Sequence, residues 1–248
     1  MTEKEKSLES NFTKISTQNI KELIMQISYS SLSILKDCPR CFYNDRKLKI
    51  HRPQGIKSGI PVAVDKLLKE GLEVYRGSLP PVLKNIPEIE GFQLYDGADL
   101  AKMRHWKSNP LKMQDTKGNE IVGAFDDLLF NPTTQEYAYL DYKTKGKEPS
   151  VEFGEKYYQS QCDLYTRFLE VGKKKVASFG CLLFFWPVKN DNGGVDFKSM
   201  PVFLTPNPQA AEELFKRAIQ CLESDVVPPS GVDCEYCKFV ANRSLVTV

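Results

Sequence analysis

The amino-acid sequence predicts an α/β domain in which helices flank a mixed central β-sheet. Three observations lead to this fold class. After residue 110, apolar patterning predicts a strand meander, a helix, two strands and a final helix. Before residue 110, apolar residues recur mainly at the spacing typical of helices. The hydrophobic share of 41% and the charged share of 27% suit a globular protein and exclude a mostly disordered or fibrous chain.

The N-terminal end is expected to lie outside this domain. Residues 1–27 are polar and are predicted to form a loose segment, with a weak helix over 17–26. Residues 28–248 are predicted to form a single domain, because no repeat, low-complexity stretch or Gly/Ser linker divides them.

The first elements of the domain are predicted to be helices. One begins at Tyr29, where a serine supplies the cap and Leu32 and Leu35 start an apolar face. A short helix is also predicted over 99–106. Between them, a helix over 62–75 is predicted from apolar residues at spacings of three and four: Val64, Leu67, Leu68 and Leu72.

The second half is predicted to contain two hairpins. Strands over 120–131 and 136–144 flank the turn signal Asn131-Pro132 and are expected to pair. The sequence Asp191-Asn192-Gly193-Gly194 marks the turn of the second hairpin. The remaining predicted elements are a weak strand over 111–115, helices over 154–171 and 208–224, and strands over 176–188 and 195–204.

The basic charge of the chain is concentrated near one end. The formal net charge of +2 does not by itself indicate a nucleic-acid partner. Residues 36–57, however, hold seven basic and two acidic side chains and include Phe42, Tyr43 and His51. A basic stretch with interleaved aromatic residues suits a polyanion such as nucleic acid. A solvated helix face is the alternative interpretation.

The sequence predicts a cytoplasmic protein without a membrane partner. Residues 1–15 lack the apolar core of a secretory signal. The longest apolar run, Phe179 to Val188, is too short to cross a bilayer. The seven cysteines are therefore expected in a reducing compartment, where their spacing matters more than their number.

Two carboxylates lie within the apolar strands of the first predicted hairpin, Asp126 on one strand and Asp141 on the next. Buried carboxylates are costly unless compensated, and a hard divalent cation compensates them directly. Since Asp141 and Lys143 are two residues apart, strand alternation points both side chains to one face. A metal there holds a scissile phosphate and activates water, and the lysine assists the attack. A salt bridge on a solvated strand face is the alternative.

The combined motifs are more specific than any one of them. Gly123-Ala124-Phe125-Asp126, Asp141-Tyr142-Lys143 and a helix with Gln161 and Tyr165 four residues apart resemble the RecB-like branch of the PD-(D/E)xK nuclease superfamily, including small CRISPR-associated members. The resemblance covers most of the chain. It implies a restriction-endonuclease-like core and a DNA nuclease that hydrolyses phosphodiester bonds with Mg²⁺ or Mn²⁺.

The resemblance also implies a role for each site residue. Asp126 and Asp141 bind the metal, and the Tyr142 carbonyl is a further ligand. Lys143 assists the attack of water, and Gln161 contacts the cluster of metal, water and lysine.

Other expected contacts involve DNA and an upstream helix. RecB-like enzymes often carry a metal-binding histidine in such a helix, and Asp65 is the candidate at the matching position; a plain exposed aspartate is the alternative.

The expected partners are single- or double-stranded DNA and a helicase or another repair or CRISPR-type protein. The predicted DNA-binding residues are Arg40, Arg46, Lys47, Lys49, Arg52 and Tyr165.

Two Cys-x-x-Cys pairs predict a metal centre that joins the N- and C-terminal parts of the domain. Their four thiolates complete a tetrahedral site. Some RecB-like nucleases hold an iron–sulfur cluster with one cysteine before the core and three after it, whereas this chain has two and two. Zinc and a [4Fe–4S] cluster both suit four thiolates. Unconnected buried cysteines and a redox pair are the alternatives. The paired residues are Cys38, Cys41, Cys234 and Cys237; core positions are expected for Cys162, Cys181 and Cys221.

A metal-dependent deoxyribonuclease is the first functional hypothesis from the sequence. The alternative is a non-catalytic nucleic-acid-binding or scaffolding module that retains the nuclease fold. A redox or metal-trafficking protein that uses the cysteine pairs is a third and weaker hypothesis.

Overall fold

The computed structural model describes residues 24–53, 55 and 59–243. The helices are α1 (Tyr29–Asp37), α2 (Pro39–Arg46), α3 (Gly59–Leu72), α4 (Leu100–Met103), α5 (Val151–Val171), α6 (Pro208–Glu223) and α7 (Glu235–Arg243). The strands are β1 (Gln26–Ser28), β2 (Gln93–Leu94), β3 (Met113–Gln114), β4 (Glu120–Val122), β5 (Asp127–Asn131), β6 (Glu136–Thr144), β7 (Lys175–Val176), β8 (Gly180–Lys189) and β9 (Val195–Leu204). The predicted α/β class is confirmed.

Side-chain caps start the helices that surround the sheet. Ser28 accepts a hydrogen bond from the Ser31 amide at the start of α1, as the serine-rich sequence predicts. Ser150 accepts one from the Phe153 amide at the start of α5. Asn207 caps α6 in the same way, and Pro208 occupies its first turn, where no intrahelical donor is needed.

The central sheet is mixed, as predicted. Among the described residues its strand order is β2-β5-β6-β8-β9, and β7 pairs with the start of β6. β5 and β6 are antiparallel, so the predicted hairpin is confirmed, and β6 is parallel to β8 with Asp141 opposite Leu182. A smaller sheet has the order β1-β4-β3.

Strand β6 separates two hydrophobic cores. Leu140 and Tyr142 face a core that also contains Leu72 of α3. Tyr139 faces the other core, together with Leu164 of α5. Because side chains alternate along a strand, Asp141 and Lys143 continue the row of Tyr139 on the α5 side. The prediction that they share a face is confirmed by a distance of 2.5 Å between Lys143 Nζ and Asp141 Oδ2.

The predicted continuous strand over 120–131 is wrong, because it divides between the two sheets. Gly123 to Asp126 connect β4 to β5 without strand pairing. Their backbone groups bind other partners instead: the Phe125 amide donates to the Met103 carbonyl, and Asn109 Nδ2 donates to the Gly123 carbonyl. Asp126 therefore lies on a bend immediately before β5 rather than inside a strand.

The predicted strand over 176–188 is interrupted for a similar reason. β7 ends at Val176, and the Ala177 amide donates to the Tyr137 carbonyl before β8 begins at Gly180. A glycine is needed there, since an added Cβ would lie 2.4 Å from Cys162 Sγ.

Strand β1 begins at Gln26, so the last two residues of the range 1–27 that was predicted to be loose belong to a strand. Ile27 in β1 is fully buried and lies opposite Ile121 of β4. Residues 1–23, which include most of the weak helix predicted over 17–26, lie outside the described residues. The division into this segment and one domain stays a prediction. In the described part of the chain, no helix combines the length and apolar character required of a membrane span.

Candidate active site

A buried ion pair occupies the α5 side of β6. Asp141 is 3% exposed, and its Oδ1 accepts a hydrogen bond of 3.0 Å from Gln161 Nε2 on α5. Lys143 Nζ lies 4.7 Å from the centroid of the Tyr158 ring, also on α5. Strand β6 therefore supplies both charged side chains, and helix α5 contacts both of them through Gln161 and Tyr158. Three predicted site residues, Asp141, Lys143 and Gln161, are brought together as expected.

Burial and charge act in opposite directions on this pair. Burial raises the pKa of Asp141; the Lys143 charge opposes this, and the Asp126 charge adds to it. Burial alone would lower the pKa of Lys143, but the charge and hydrogen bond of Asp141 and the charge of Asp126 together more than offset this, so that pKa lies above its ordinary value. The lysine is thus held as a cation inside the site.

Asp126 lies at the mouth of the same site. Its Oδ2 accepts a hydrogen bond of 3.3 Å from the Tyr142 amide, and its Oδ1 accepts one of 2.8 Å from Lys69 Nζ on α3. Lys69 Nζ also lies 2.9 Å from Asp65 Oδ2. The lysine therefore links the Asp65 carboxylate to Asp126, although Asp65 makes no direct ion pair or hydrogen bond with a predicted site residue in the described part of the chain.

Lys69 was not predicted from the sequence to belong to the site. Its signal was present, because Asp65 and Lys69 are four residues apart and so share a helix face. Burial alone would lower the pKa of Lys69, but the hydrogen bonds and charges of Asp126 and Asp65 together more than offset this, so that pKa lies above its ordinary value. The cationic lysine partly neutralises the acidic end of the site.

A fully buried carboxylate, Asp127, supports the site from behind and was also missed. Arg76 donates to both of its oxygens, at 2.7 and 2.5 Å, and Tyr142 Oη donates to Oδ2 at 2.6 Å. Arg104 donates to Asp127 Oδ2 at 2.9 Å and to the Asp126 carbonyl at 2.9 Å. This network fixes the backbone on which the Asp126 side chain stands. The adjacent Asp126-Asp127 pair was the available signal.

Tyr165 has a different environment from the one predicted. It is 5% exposed, stacks on Tyr139 at 5.1 Å between ring centroids, and accepts a hydrogen bond of 3.3 Å from the Ala124 amide. An added Cβ on Gly123 would lie 2.8 Å from its hydroxyl, so the glycine permits this close packing. The buried ring is placed to position the Gly123–Asp126 bend, and its predicted contact with DNA stays a prediction.

The residues present fit a divalent metal ion. Asp141 is buried, and its Oδ2 is paired with Lys143 Nζ, while the second carboxylate, Asp126, lies on the adjacent bend. Carboxylate oxygens suit a hard cation. The Tyr142 amide points to Asp126, and since the N–H and C=O of one strand residue point to the same edge, its carbonyl faces Asp126 as well. Asp126, Asp141 and the Tyr142 carbonyl would hold the ion.

A groove runs away from the site along the N-terminal elements. A cavity of about 520 Å³ next to the bend is lined by residues that include Gly123, Ala124, Tyr29 and Trp106. It shares Gln26 and Arg46 with a cavity of about 730 Å³. The second cavity is lined on its basic side by Arg46, Lys47, Lys49 and Lys117.

The basic residues predicted to bind DNA therefore divide into two groups. Arg46, Lys47 and Lys49 line the groove. Arg40 and Arg52 line a separate pocket beside the cysteines. Arg52 donates hydrogen bonds to Asp37 at 3.3 Å and to Cys234 Sγ at 3.8 Å. Through these contacts it supports the cluster of cysteines.

The four paired cysteines meet at one point, as predicted. Their sulfurs all lie within 4.8 Å of one another, which brings the start of α2 and the start of α7 together. Burial raises the pKa of the Cys38 thiol, but hydrogen bonds from the Gly231 and Cys41 amides and from the thiols of Cys41 and Cys234 together more than offset this and lower that pKa. The other cysteines are separate: Cys162 and Cys181 are fully buried and Cys221 is partly buried.

Comparison with known proteins gives one family. The family model of the PD-(D/E)XK nuclease superfamily matches residues 84–241. This range includes Asp126, Asp141 and Lys143 but not Asp65. No curated protein matches the chain. A solved structure described as "Crystal structure of SSO0001" is similar, with 16% identity and a TM-score of 0.40; the match covers 96% of this chain and 92% of that chain.

Proposed function

The chain belongs to the PD-(D/E)XK nuclease superfamily, and we propose that it is a metal-dependent deoxyribonuclease of the RecB-like kind. One observation carries the proposal: the buried pair of Asp141 and Lys143 lies beside Asp126 at the mouth of β5. A structural salt bridge between Asp141 and Lys143 needs no second carboxylate nearby, whereas a metal site uses both Asp126 and Asp141 as oxygen ligands.

The proposed reaction is the hydrolysis of a phosphodiester bond. Bound Mg²⁺ or Mn²⁺ would hold the phosphate and lower the pKa of the attacking water. The water oxygen forms a bond to phosphorus and gives up a proton to the solvent, the bond to one ester oxygen breaks, and that oxygen takes a proton from the solvent as it leaves. Asp126 and Asp141 provide oxygen ligands, and Gln161 keeps the Asp141 carboxylate oriented. Lys143 donates hydrogen bonds to the water and to the charge that develops on the phosphate.

DNA is the proposed substrate, and the groove is its proposed path. Arg46, Lys47 and Lys49 provide positive charge for the phosphate backbone. Trp106 is 47% exposed at the end nearest the catalytic bend and provides a surface on which a base can stack. This arrangement of charge and aromatic surface suits a single strand that enters the site along the groove.

Cleavage of end-labelled DNA tests the proposal. Wild-type protein is expected to cut single- or double-stranded DNA in Mg²⁺ or Mn²⁺ and to stop when the metal is chelated. Asp141→Asn is expected to lower the rate by at least roughly 10²-fold, because it removes a charged metal ligand.

Asp191→Asn is the matched control for this experiment. Asp191 is exposed in the turn between β8 and β9, and the variant is expected to cut like wild type. Failure of the wild type to cut either DNA with either metal would contradict the proposal. So would equal rates for the wild type and Asp141→Asn.

The proposed stacking surface is tested separately by DNA binding without metal. Trp106→Ala is expected to weaken binding of single-stranded DNA by roughly 5-fold or more, since one stacked base contributes about 1–3 kcal/mol. Phe239→Ala is the control, because Phe239 is 64% exposed on α7, outside the groove. Fluorescence anisotropy measures both affinities, and an equal loss in the two variants would argue against a specific role for Trp106.

A non-catalytic module that binds nucleic acid or acts as a scaffold is the second candidate. The ion pairs of Lys69 with Asp65 and Asp126 favour it, because the ammonium satisfies two carboxylates without a metal. In that case DNA binding persists and neither metal supports cleavage. Metal ligation by Asp65, a helicase or CRISPR-type partner and a cytoplasmic location stay predictions.

A further inference from the structure

The spacing of the cysteine sulfurs identifies the kind of metal centre that they suit. The sulfur of Cys41 lies 3.5 Å from that of Cys234 and 3.7 Å from that of Cys237, and Cys38 lies 3.7 Å from Cys237. Four thiolates around one tetrahedral ion, with zinc–sulfur bonds of about 2.3 Å, place their sulfurs about 3.8 Å apart. The observed distances are therefore those of a single ion.

An iron–sulfur cluster does not fit the same four positions. Each thiolate of a [4Fe–4S] cluster binds a different iron, and inorganic sulfide lies between the irons. The cysteine sulfurs around such a cluster must spread well beyond the edge of a single-ion tetrahedron. Here all four lie within 4.8 Å of one another. The arrangement of two cysteines before the core and two after it also differs from the one-and-three pattern of the cluster-containing nucleases.

We propose that Cys38, Cys41, Cys234 and Cys237 form a mononuclear structural zinc site. Zinc is favoured over a single ferrous ion, because divalent zinc binds a given site more tightly than divalent iron. Four protein ligands leave no open position, which is the pattern of a structural rather than a catalytic zinc site.

The residues around the cysteines are arranged to support such a site. Hydrogen bonds to sulfur come from the Gly231 amide at 3.1 Å, the Cys41 amide at 3.4 Å and Arg52 at 3.8 Å. These donors partly offset the negative charge of four thiolates, as outer-sphere groups do at metal sites. An added Cβ on Gly231 would lie 2.1 Å from the Asp37 carbonyl, so the close approach needs a glycine.

The position of the site gives it a structural role. It joins α2 to α7, two helices that are distant in the chain, and α2 carries Arg46 at the start of the groove. Metal binding that occurs only in the folded state adds its binding free energy to stability. The proposed zinc therefore fixes the N-terminal wall of the groove, and this inference stands independently of DNA cleavage.

Elemental analysis of the purified full-length chain tests the proposal. We expect about one zinc per chain, no iron, no acid-labile sulfide and a colourless solution. Replacement by Co²⁺ is expected to give the visible absorption bands of a tetrahedral tetrathiolate site. Iron with sulfide, iron without sulfide, or a chain that holds no metal and binds no Co²⁺ would each overturn it.

Two variants make the assignment specific to these cysteines. Cys237→Ser is expected to lose bound zinc and to unfold at a lower temperature. Cys221→Ser makes the same chemical change in α6, at a partly buried cysteine outside the cluster, and is expected to keep its zinc. If Cys237→Ser does not fold, the metal content of the wild type and of Cys221→Ser still decides the question.

Discussion

Replacing Lys143 by methionine is expected to lower the rate of DNA cleavage by at least roughly 10²-fold while DNA binding persists. Methionine keeps most of the length of the side chain and removes its charge and hydrogen-bond donors. Since Lys143 Nζ lies 2.5 Å from Asp141 and is largely buried, its ammonium is held at the point where phosphate charge would develop. A structural ion pair would instead lose stability and DNA binding together. Cleavage, anisotropy and thermal unfolding of one preparation separate these cases.

Lys175→Met is the control for this prediction. Lys175 is exposed on β7, and its Nζ lies 3.2 Å from Glu136, which is five positions before Asp141 on β6. It is expected to cut at the wild-type rate. Full activity of Lys143→Met would contradict the proposed role, and so would a fall in activity no larger than that of Lys175→Met.

The sequence predicted the parts of the site that obey local periodicity. Asp141 and Lys143 share a face because strand alternation permits no other arrangement, and Gln161 and Tyr165 share a face because they are four residues apart on a helix. The four cysteines could also be predicted, since thiolate ligands are recognisable by type and spacing. For these residues, the type and the local spacing of the side chains were enough to predict which of them lie together.

The parts that were missed depend on partners distant in the chain. Asp127 is adjacent to Asp126, yet its partners Arg76 and Arg104 are 51 and 23 residues away. No periodicity connects such positions. The strand over 120–131 was predicted as continuous because its apolar pattern is continuous, whereas its backbone divides between two sheets. The burial of Tyr165 is another example, because its helix face alone does not show which distant side chains cover the ring.

Removing the charge of Asp127 is expected to destabilise the protein more than most other single changes in this region. Asp127→Asn would leave the partly buried guanidinium groups of Arg76 and Arg104 with the exposed Glu73 as their only shared counter-ion among the described residues. Breaking a buried ion pair by removing one partner costs about 3–5 kcal/mol. For a chain of this size, that corresponds to a fall in melting temperature of roughly 6–20 °C. DNA cleavage should also decrease, because Arg104 holds the backbone of Asp126.

Glu73→Gln is the matched comparison, because Glu73 binds the same two arginines at 2.7 and 2.6 Å. Its side chain is 44% exposed, so solvent screens both of its ion pairs and the expected cost is about 1 kcal/mol or less. Thermal or urea unfolding of the two variants therefore compares one buried and one exposed carboxylate with shared partners. Equal destabilisation would mean that burial does not set the strength of this network. In that case Asp127 would not be the residue that fixes the catalytic bend.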